Sequence, residues 1–259
     1  MFYIIQERLF KEFEWDDLIN SLERLELPYE IVKVRPFIDT IEFETDRKDV
    51  FCFGALKMAR IFKQYGWNPG CIMTPNHDFE VYKNHYKEHL LNYDSRIYKF
   101  GDDWDWNGWD YFIRPTQDTK TFTGKEFTQE EWLKRCHEWL TNGHSTTLTK
   151  DTPIQVASIK NIQKEFRFWI VDGEVITGSL YRTGCFINYS DIVDDEAIEF
   201  CKEMIKIYQL ADSFVMDVCL TDGEWKIIEC GCINCAGLYK ANIPKLLMSI
   251  EDFYNWTLL

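Results

Sequence analysis

Residues 214–239, FVMDVCLTDGEWKIIECGCINCAGLY, decide how the rest of the chain is read. An apolar run, a turn with Asp and Gly, a second apolar run and a loop of small and polar residues spell a β-hairpin leading into irregular structure. Asp217 and Glu229 sit inside the apolar runs, where a carboxylate is costly unless it is paired or metal-bound. Asn234 follows shortly after Glu229. Two carboxylates and an amide oxygen on a rigid hairpin are the hard oxygen donors that a Mg²⁺ carrying nucleotide phosphates needs. Side chains alternate across a strand, so turn length decides whether the acids meet. A two-residue turn, Asp222-Gly223, puts Asp217 opposite Ile228 and turns Glu229 to the other face. A three-residue turn, Thr221-Asp222-Gly223, pairs Leu220 with Glu224 and Asp217 with Ile227, so both acids share a face. The three-residue turn, with Gly223 left-handed, is therefore expected. The alternative is a pair of acids satisfying local hydrogen bonds on a solvated sheet face.

The 259 residues are 46% hydrophobic and 16% aromatic. That is enough for one large domain or for two or three small lobes around a cleft. A net charge of −14 argues against free nucleic acid as a partner, since neutralising a phosphate backbone needs a basic face. Nucleotides that arrive with Mg²⁺ are still compatible. No run approaches the ~20 apolar residues of a membrane span, and the acidic first stretch lacks the small-residue cleavage site of a signal peptide. Nine cysteines, mostly single within apolar runs, fit reduced thiols in a cytoplasmic compartment. Cys230, Cys232 and Cys235 cluster, but no distant CxxC pair accompanies them and the HxxxH pair His85 and His89 reads as a solvated helix face, so structural zinc is not expected.

Residues 1–108 read as an α/β lobe. Strands at 2–5, 29–34, 50–53 and 70–73 alternate with helices at 15–25 and from Gly54 to Tyr65, the rhythm of a parallel sheet. Gly54 is expected to serve a tight turn, and His85 and His89 a solvated helix face. Trp104, Trp106 and Trp109 are expected to pack between lobes. A strand then ends in Arg114-Pro115, and a loop with Lys120, Thr121, Thr123, Gly124 and Lys125 follows. Such residues suit phosphate oxygens, although the loop does not match a P-loop. A helix over 128–140 starts with a capping box, Thr128 and Glu131. A strand over 154–158 precedes Lys160.

Residues 165–182, EFRFWIVDGEVITGSLYR, read as a hairpin about Asp172-Gly173, with Val171 paired to Glu174. Regular alternation then places Glu165, Arg167, Trp169, Gly178 and Arg182 on one face. The two arginines outnumber the one acid, which suits phosphate; a structural ion pair is the alternative. An amphipathic helix over 194–209 and an apolar helical tail over 238–259 complete the chain.

The segments FIRPTQDTKTFTG, EFRFWIVDGEVITGSLYR and DVCLTDGEWKIIECGCINCAGLY, in that order, resemble the ATP-grasp superfamily, and specifically its clade named for two arginines and a lysine. The resemblance covers roughly residues 110–250, with a weaker match upstream. It implies an α+β ATP-grasp fold, two lobes clamping a nucleotide, preceded by an α/β lobe. The division expected is 1–108 for that lobe and 109–259 for the ATP-grasp domain, with subdomains 109–153 and 154–259. It further implies that Arg114 and Lys120 contact phosphate and that Gly124 lets the loop close. Gln155, Val156 and Ser158 would line the adenine through backbone groups, with Lys160 nearby. Arg167 and Arg182 would act on phosphate or the acyl phosphate, and Asp217 and Glu229 would hold Mg²⁺. The family pattern is Glu-x-Asn; Gly231 stands at that asparagine, and Asn234 is the candidate replacement. The implied activity is an ATP-dependent carboxylate–amine ligase working through an acyl phosphate and releasing ADP and phosphate. Its partners would be small-molecule or peptide carboxylates and amines, not nucleic acid or membrane. A nucleotide-binding regulator and a small-molecule phosphotransferase are the alternatives.

Overall fold

The computed structural model describes residues 1–34, 40–116, 122–142 and 148–257. Three sheets carry these residues. The first strands, β1 (Phe2–Gln6), β2 (Tyr29–Val32), β3 (Asp49–Phe53) and β4 (Asn68–Gly70), form a parallel sheet in the order β2-β1-β3-β4. The runs Tyr3-Ile4-Ile5 and Val50–Phe53 are fully buried, as strands covered on both faces must be. Helix α1 (Glu12–Arg24) lays Leu18 and Leu22 against Tyr3, Phe51 and Phe53. Helix α2 (Leu56–Tyr65) covers the opposite face and stops at Gly66, whose φ of 64° is left-handed. The strand expected at 70–73 lies earlier, at Asn68–Gly70. Beyond it the Gly70 carbonyl and the Ile72 N–H turn to the Asn234 side chain instead of to β3.

Helix α3 (Phe79–Tyr86) leads to an antiparallel sheet of β5 (Arg96–Lys99), β6 (Tyr111–Pro115), β7 (Lys125–Phe127) and β8 (Pro153–Ser158) in the order β5-β8-β6-β7. The divisions expected at 108/109 and 153/154 both cut across this sheet. Helix α4 (Gln129–Asn142) packs on it, and Thr128 and Glu131 form the expected reciprocal cap, each backbone N–H donating to the other's side chain at 3.2 Å. Trp104 and Trp106 stack within this lobe's own core, and Trp109 is 71% exposed, so the tryptophans do not pack between lobes.

The remaining strands, β9 (Ile162–Val171), β10 (Glu174–Thr183), β11 (Phe186–Ser190), β12 (Ser213–Thr221) and β13 (Glu224–Gly231), form an antiparallel sheet in the order β11-β10-β9-β12-β13, with helix α5 (Asp195–Ile207) between β11 and β12 in sequence. One face buries Phe166, Phe168, Phe214, Met216 and Val218 against α5 and α3. The other face is divided. Trp169, Val171 and Val215 join the core shared with the first sheet and with the last helix, α6 (Ile243–Thr257). The far half of that face carries charge. Glu251 of α6 accepts from the Met1 amino group at 2.9 Å and from Tyr3 Oη at 2.8 Å, tying the chain's end to its beginning. Among the described residues no helix is long and apolar enough to cross a membrane.

Candidate functional site

The β12–β13 turn is the two-residue Asp222-Gly223, with φ of 49° and 80°, and Thr221 pairs with Glu224. The expected three-residue turn is therefore not formed. Two left-handed residues match the right-handed twist of the strands better. The acids still meet, for a different reason. Val218 lies opposite Ile227 and Asp217 opposite Glu229, so Ile228 is an extra residue on β13. This bulge inverts the alternation once and returns Glu229 to the face of Asp217.

The neighbouring hairpin makes the same correction twice. Val171 pairs with Glu174 across Asp172-Gly173, as expected. Ile176 is then extra, which brings Gly178 opposite Phe168 rather than Arg167. A Cβ on Gly178 would lie 2.5 Å from the Phe168 ring, so Gly178 belongs to the apolar face and not to the charged one. Tyr181 is extra as well, and Arg182 returns opposite Glu165.

Three arginine–carboxylate pairs result. Arg167 holds Asp217 with both ends of its fork, Nε to Oδ1 at 2.7 Å and Nη2 to Oδ2 at 2.8 Å, and its guanidinium lies 4.9 Å from the Tyr239 ring centre. Arg114 Nη1 meets Glu229 Oε2 at 2.5 Å. Arg182 Nε lies 3.5 Å from Glu165 Oε1. Tyr181 Oη donates to Asp217 Oδ2 at 3.4 Å. Burial opposes the charge on Arg167, but Asp217 holds it and its pKa stands well above the usual value. Burial also pushes the Asp217 carboxyl up, with Arg167 pulling against it.

Two of these pairs, Arg114–Glu229 and Arg182–Glu165, border a cleft of about 790 Å³ between the second and third sheets. Arg114, Gly124, Ser158, Lys160, Arg182 and Glu229 line it, together with Tyr181 and Glu165. Phe112, Phe122, Ile159 and Ile162 supply an apolar wall. Lys160 Nζ bonds Asp94 Oδ2 at 2.9 Å and Ser158 Oγ at 2.7 Å at the rim. A Cβ on Gly124 would come within 2.8 Å of Arg114 Cβ and 3.0 Å of the Phe112 ring, so only glycine lets the backbone pass this close over Arg114. Asp217 and Arg167 are not in the wall; Asp217 is buried, the Arg167 side chain is 11% exposed, and the pair neighbours the cleft through Tyr181 and Glu229.

Other expected positions fall elsewhere. Lys120 lies outside the described residues. Gln155 and Val156 do not face the cleft: β5 flanks them on one side and β6 on the other, so their backbone groups are committed to the sheet. Gln155 Nε2 donates to Ser95 Oγ at 3.0 Å, and Val156 is in the core. Pairing with β5 ends at Val156, so backbone free of that neighbour begins beyond it, toward Ser158 and Lys160. Asn234 is not a donor beside the acids. It is 1% exposed; its Nδ2 donates to the Cys52 carbonyl at 2.6 Å and the Gly70 carbonyl at 3.2 Å, and its Oδ1 accepts from Ile72 N–H at 2.7 Å. After β13 the chain turns toward the first sheet and takes Asn234 with it. The carboxylates of Asp217 and Glu229, in contrast, suit a hard divalent cation by donor type. Tyr181 escapes a reading of the sequence, because regular alternation puts it on the face opposite Arg182.

Glu165 has a pH consequence. Burial pushes its carboxyl up, against the pull of Tyr181 and Arg182. A carboxyl raised on folding adds stability that is complete below the unfolded value of about 4.3 and is lost as pH rises through the folded value. Glu165→Gln removes that loss. Its stability relative to the parent is expected to improve from pH 4 to pH 7 in urea titrations; a constant difference contradicts the assignment.

The scan against family models matches residues 52–250 to the ATP-grasp domain, family 3 of the clade named for two arginines and a lysine. A search of curated proteins finds no match. Among solved structures, D-alanine–D-alanine ligase from Bacillus anthracis complexed with ATP is similar at a TM-score of 0.65 and 13% identity, covering 99% of this chain and 98% of that one. A RimK domain ATP-grasp protein from Sphaerobacter thermophilus gives 0.62 at 11% identity, covering 98% and 100%. The ATP-grasp ligase PsnB with its minimal precursor gives 0.56 at 12%, covering 98% of each. At such identities the likeness speaks for the fold, and the family match speaks for the sequence. With most of its length matched, the chain belongs to the ATP-grasp domain family, in family 3 of the two-arginine, one-lysine clade.

Proposed function

We propose that the chain is an ATP-dependent ligase that joins a carboxylate to an amine through an acyl phosphate, releasing ADP and phosphate. The observation that carries the reading is the two arginine–carboxylate pairs that line one cleft, Arg114–Glu229 and Arg182–Glu165, with Arg167–Asp217 behind them. The two pairs on the wall are charge couples that ATP with Mg²⁺ can exchange. The guanidiniums of Arg114 and Arg182 turn to phosphate oxygens, and Glu229, with Asp217 behind it, turns to the cation. Bound Mg²⁺ would neutralise charge on the transferring phosphoryl group.

The chain's own groups do the rest by position. Arg114 and Arg182 stand on facing sheets and stabilise charge as the phosphoryl group moves to the substrate carboxylate. The fork of Arg167 fixes the Asp217 carboxylate. Phe112, Phe122 and Ile159 offer the adenine an apolar wall. Backbone beyond Val156, rather than Gln155 and Val156 themselves, is placed to read its edge. No protein nucleophile is required. The ligase names of two structurally similar proteins accord with this chemistry.

The position of Asn234 favours a second reading, a nucleotide-binding regulator with little turnover, because two carboxylates without the amide make a poorer cation site. One assay separates the readings. With ATP, Mg²⁺ and a matrix of carboxylates and amines, a ligase releases ADP and phosphate only when both substrates are present. AMP as product contradicts the proposal, a stable phosphorylated carboxylate identifies a phosphotransferase, and tight ATP binding without turnover supports the regulator.

A further inference from the structure

We propose that Cys71, Cys232, Cys235 and His77 form a structural zinc site pinning the first sheet to the end of the β12–β13 hairpin. Cys232-Ile-Asn-Cys235 is a CxxC element on a short 3-10 turn, with the Cys235 N–H donating to the Cys232 carbonyl at 3.2 Å. That is half of a zinc site. The other half comes from far away in sequence: Cys71 directly follows β4, and His77 ends the 3-10 turn Pro75–His77. The sulfurs of Cys71, Cys232 and Cys235 all lie within 4.8 Å of one another, and those of Cys71 and Cys232 are 3.8 Å apart. Tetrahedral zinc with bonds of about 2.3 Å separates two sulfurs by about 3.8 Å. A disulfide would need about 2.05 Å, and none of the nine cysteines is disulfide-bonded.

The proposed fourth group is the imidazole of His77, only 5% exposed but outside the 4.8 Å cluster of the three sulfurs. Its Nδ1 accepts from the Thr74 N–H at 3.2 Å and lies 3.2 Å from the Thr74 carbonyl, and its Nε2 is buried with no hydrogen-bond partner among the described residues. A buried ring nitrogen without a partner is costly. Binding zinc through Nε2 would take the tautomer protonated at Nδ1, donating to the Thr74 carbonyl in place of the bond from the Thr74 N–H; metal-bound histidines are commonly oriented by such a carbonyl bond. Asn234 braces the same junction through Cys52, Gly70 and Ile72, on either side of Cys71. Cys230 takes no part; it faces the core beside Tyr86 and Cys201. Soft thiolates with one imidazole select zinc over Mg²⁺, and none of the four residues lines the cleft.

The test needs no activity. The full chain, purified under reductant without chelator, is expected to carry about one zinc per molecule by elemental mass spectrometry. Metal-free protein titrated with Co²⁺ is expected to show thiolate-to-cobalt charge transfer and tetrahedral d–d bands. Zinc removal is expected to lower Tm by more than about 5 °C. Cys71→Ser and Cys235→Ser are expected to weaken Co²⁺ binding by at least about 100-fold, while Cys185→Ser, at an exposed cysteine, leaves it unchanged. His77→Gln is expected to shift the d–d bands, and an unchanged spectrum overturns the four-ligand set. Wild-type protein without metal and without a cobalt spectrum, or with a native Cys71–Cys232 disulfide, overturns the proposal even if the variants fail to fold.

Discussion

Arg167→Met is expected to destabilise the fold by about 3–5 kcal/mol, the cost of leaving a buried carboxylate without its partner. Asp217 is 3% exposed, and the fork of Arg167 occupies both its oxygens. Among the described residues only the Tyr181 hydroxyl, at 3.4 Å, would remain, with Glu229 directly across the strand pair. Arg167→Met combined with Asp217→Leu is expected to recover most of the loss, because replacing both charges by apolar groups of similar size is often neutral or stabilising. Urea unfolding at pH 7 measures both, and an unchanged m value shows that the same surface is exposed. The double variant should be folded and without ATP turnover, which separates the structural from the chemical part of this pair. A double variant as unstable as the sum of the single ones would show that Arg167 and Asp217 act independently.

Glu229→Gln is expected to do the reverse, costing under about 1 kcal/mol of stability but lowering turnover by about 10²–10³. The Glu229 side chain is 33% exposed on the cleft wall, so losing its charge strands little. The amide keeps the shape but loses the anionic oxygen required for the cation, so the Mg²⁺ concentration needed for half-maximal rate should rise. Arg114→Lys tests the other end of the pair. It keeps the positive charge and loses the planar fork, so nucleotide should still bind while turnover falls. A Glu229→Gln protein with parental rate and Mg²⁺ dependence would remove Glu229 from the metal site.

Much of the charged face is legible in the sequence, and the residues show why the rest is not. Asp172-Gly173 and Asp222-Gly223 announce their turns, and the apolar alternation announces the strands around them. The bulges at Ile176, Tyr181 and Ile228 have no compositional mark, since the extra residue in each is an ordinary strand former. Regular alternation therefore puts Gly178 with the arginines and overlooks Tyr181. For Asp217 and Glu229 it reaches the correct face through a turn that does not form. Nearness to Glu229 in sequence makes Asn234 look like a donor, but after β13 the chain heads for the first sheet, and the amide is used up on Cys52, Gly70 and Ile72. Distance along the chain also hides the meeting of Cys71 with the CxxC element. The position of β8 between β5 and β6 likewise depends on pairing across the sheet, which its own residues do not encode.

The most direct test of the central claim is a structure of the full chain with a non-hydrolysable ATP analogue and Mg²⁺. The expected result is a phosphate chain between Arg114 and Arg182, with the cation on the carboxylates of Glu229 and Asp217 and the adenine against Phe112 and Ile159. Nucleotide bound elsewhere, or bound in this cleft with the Arg114–Glu229 pair still closed and no cation at either acid, would contradict it.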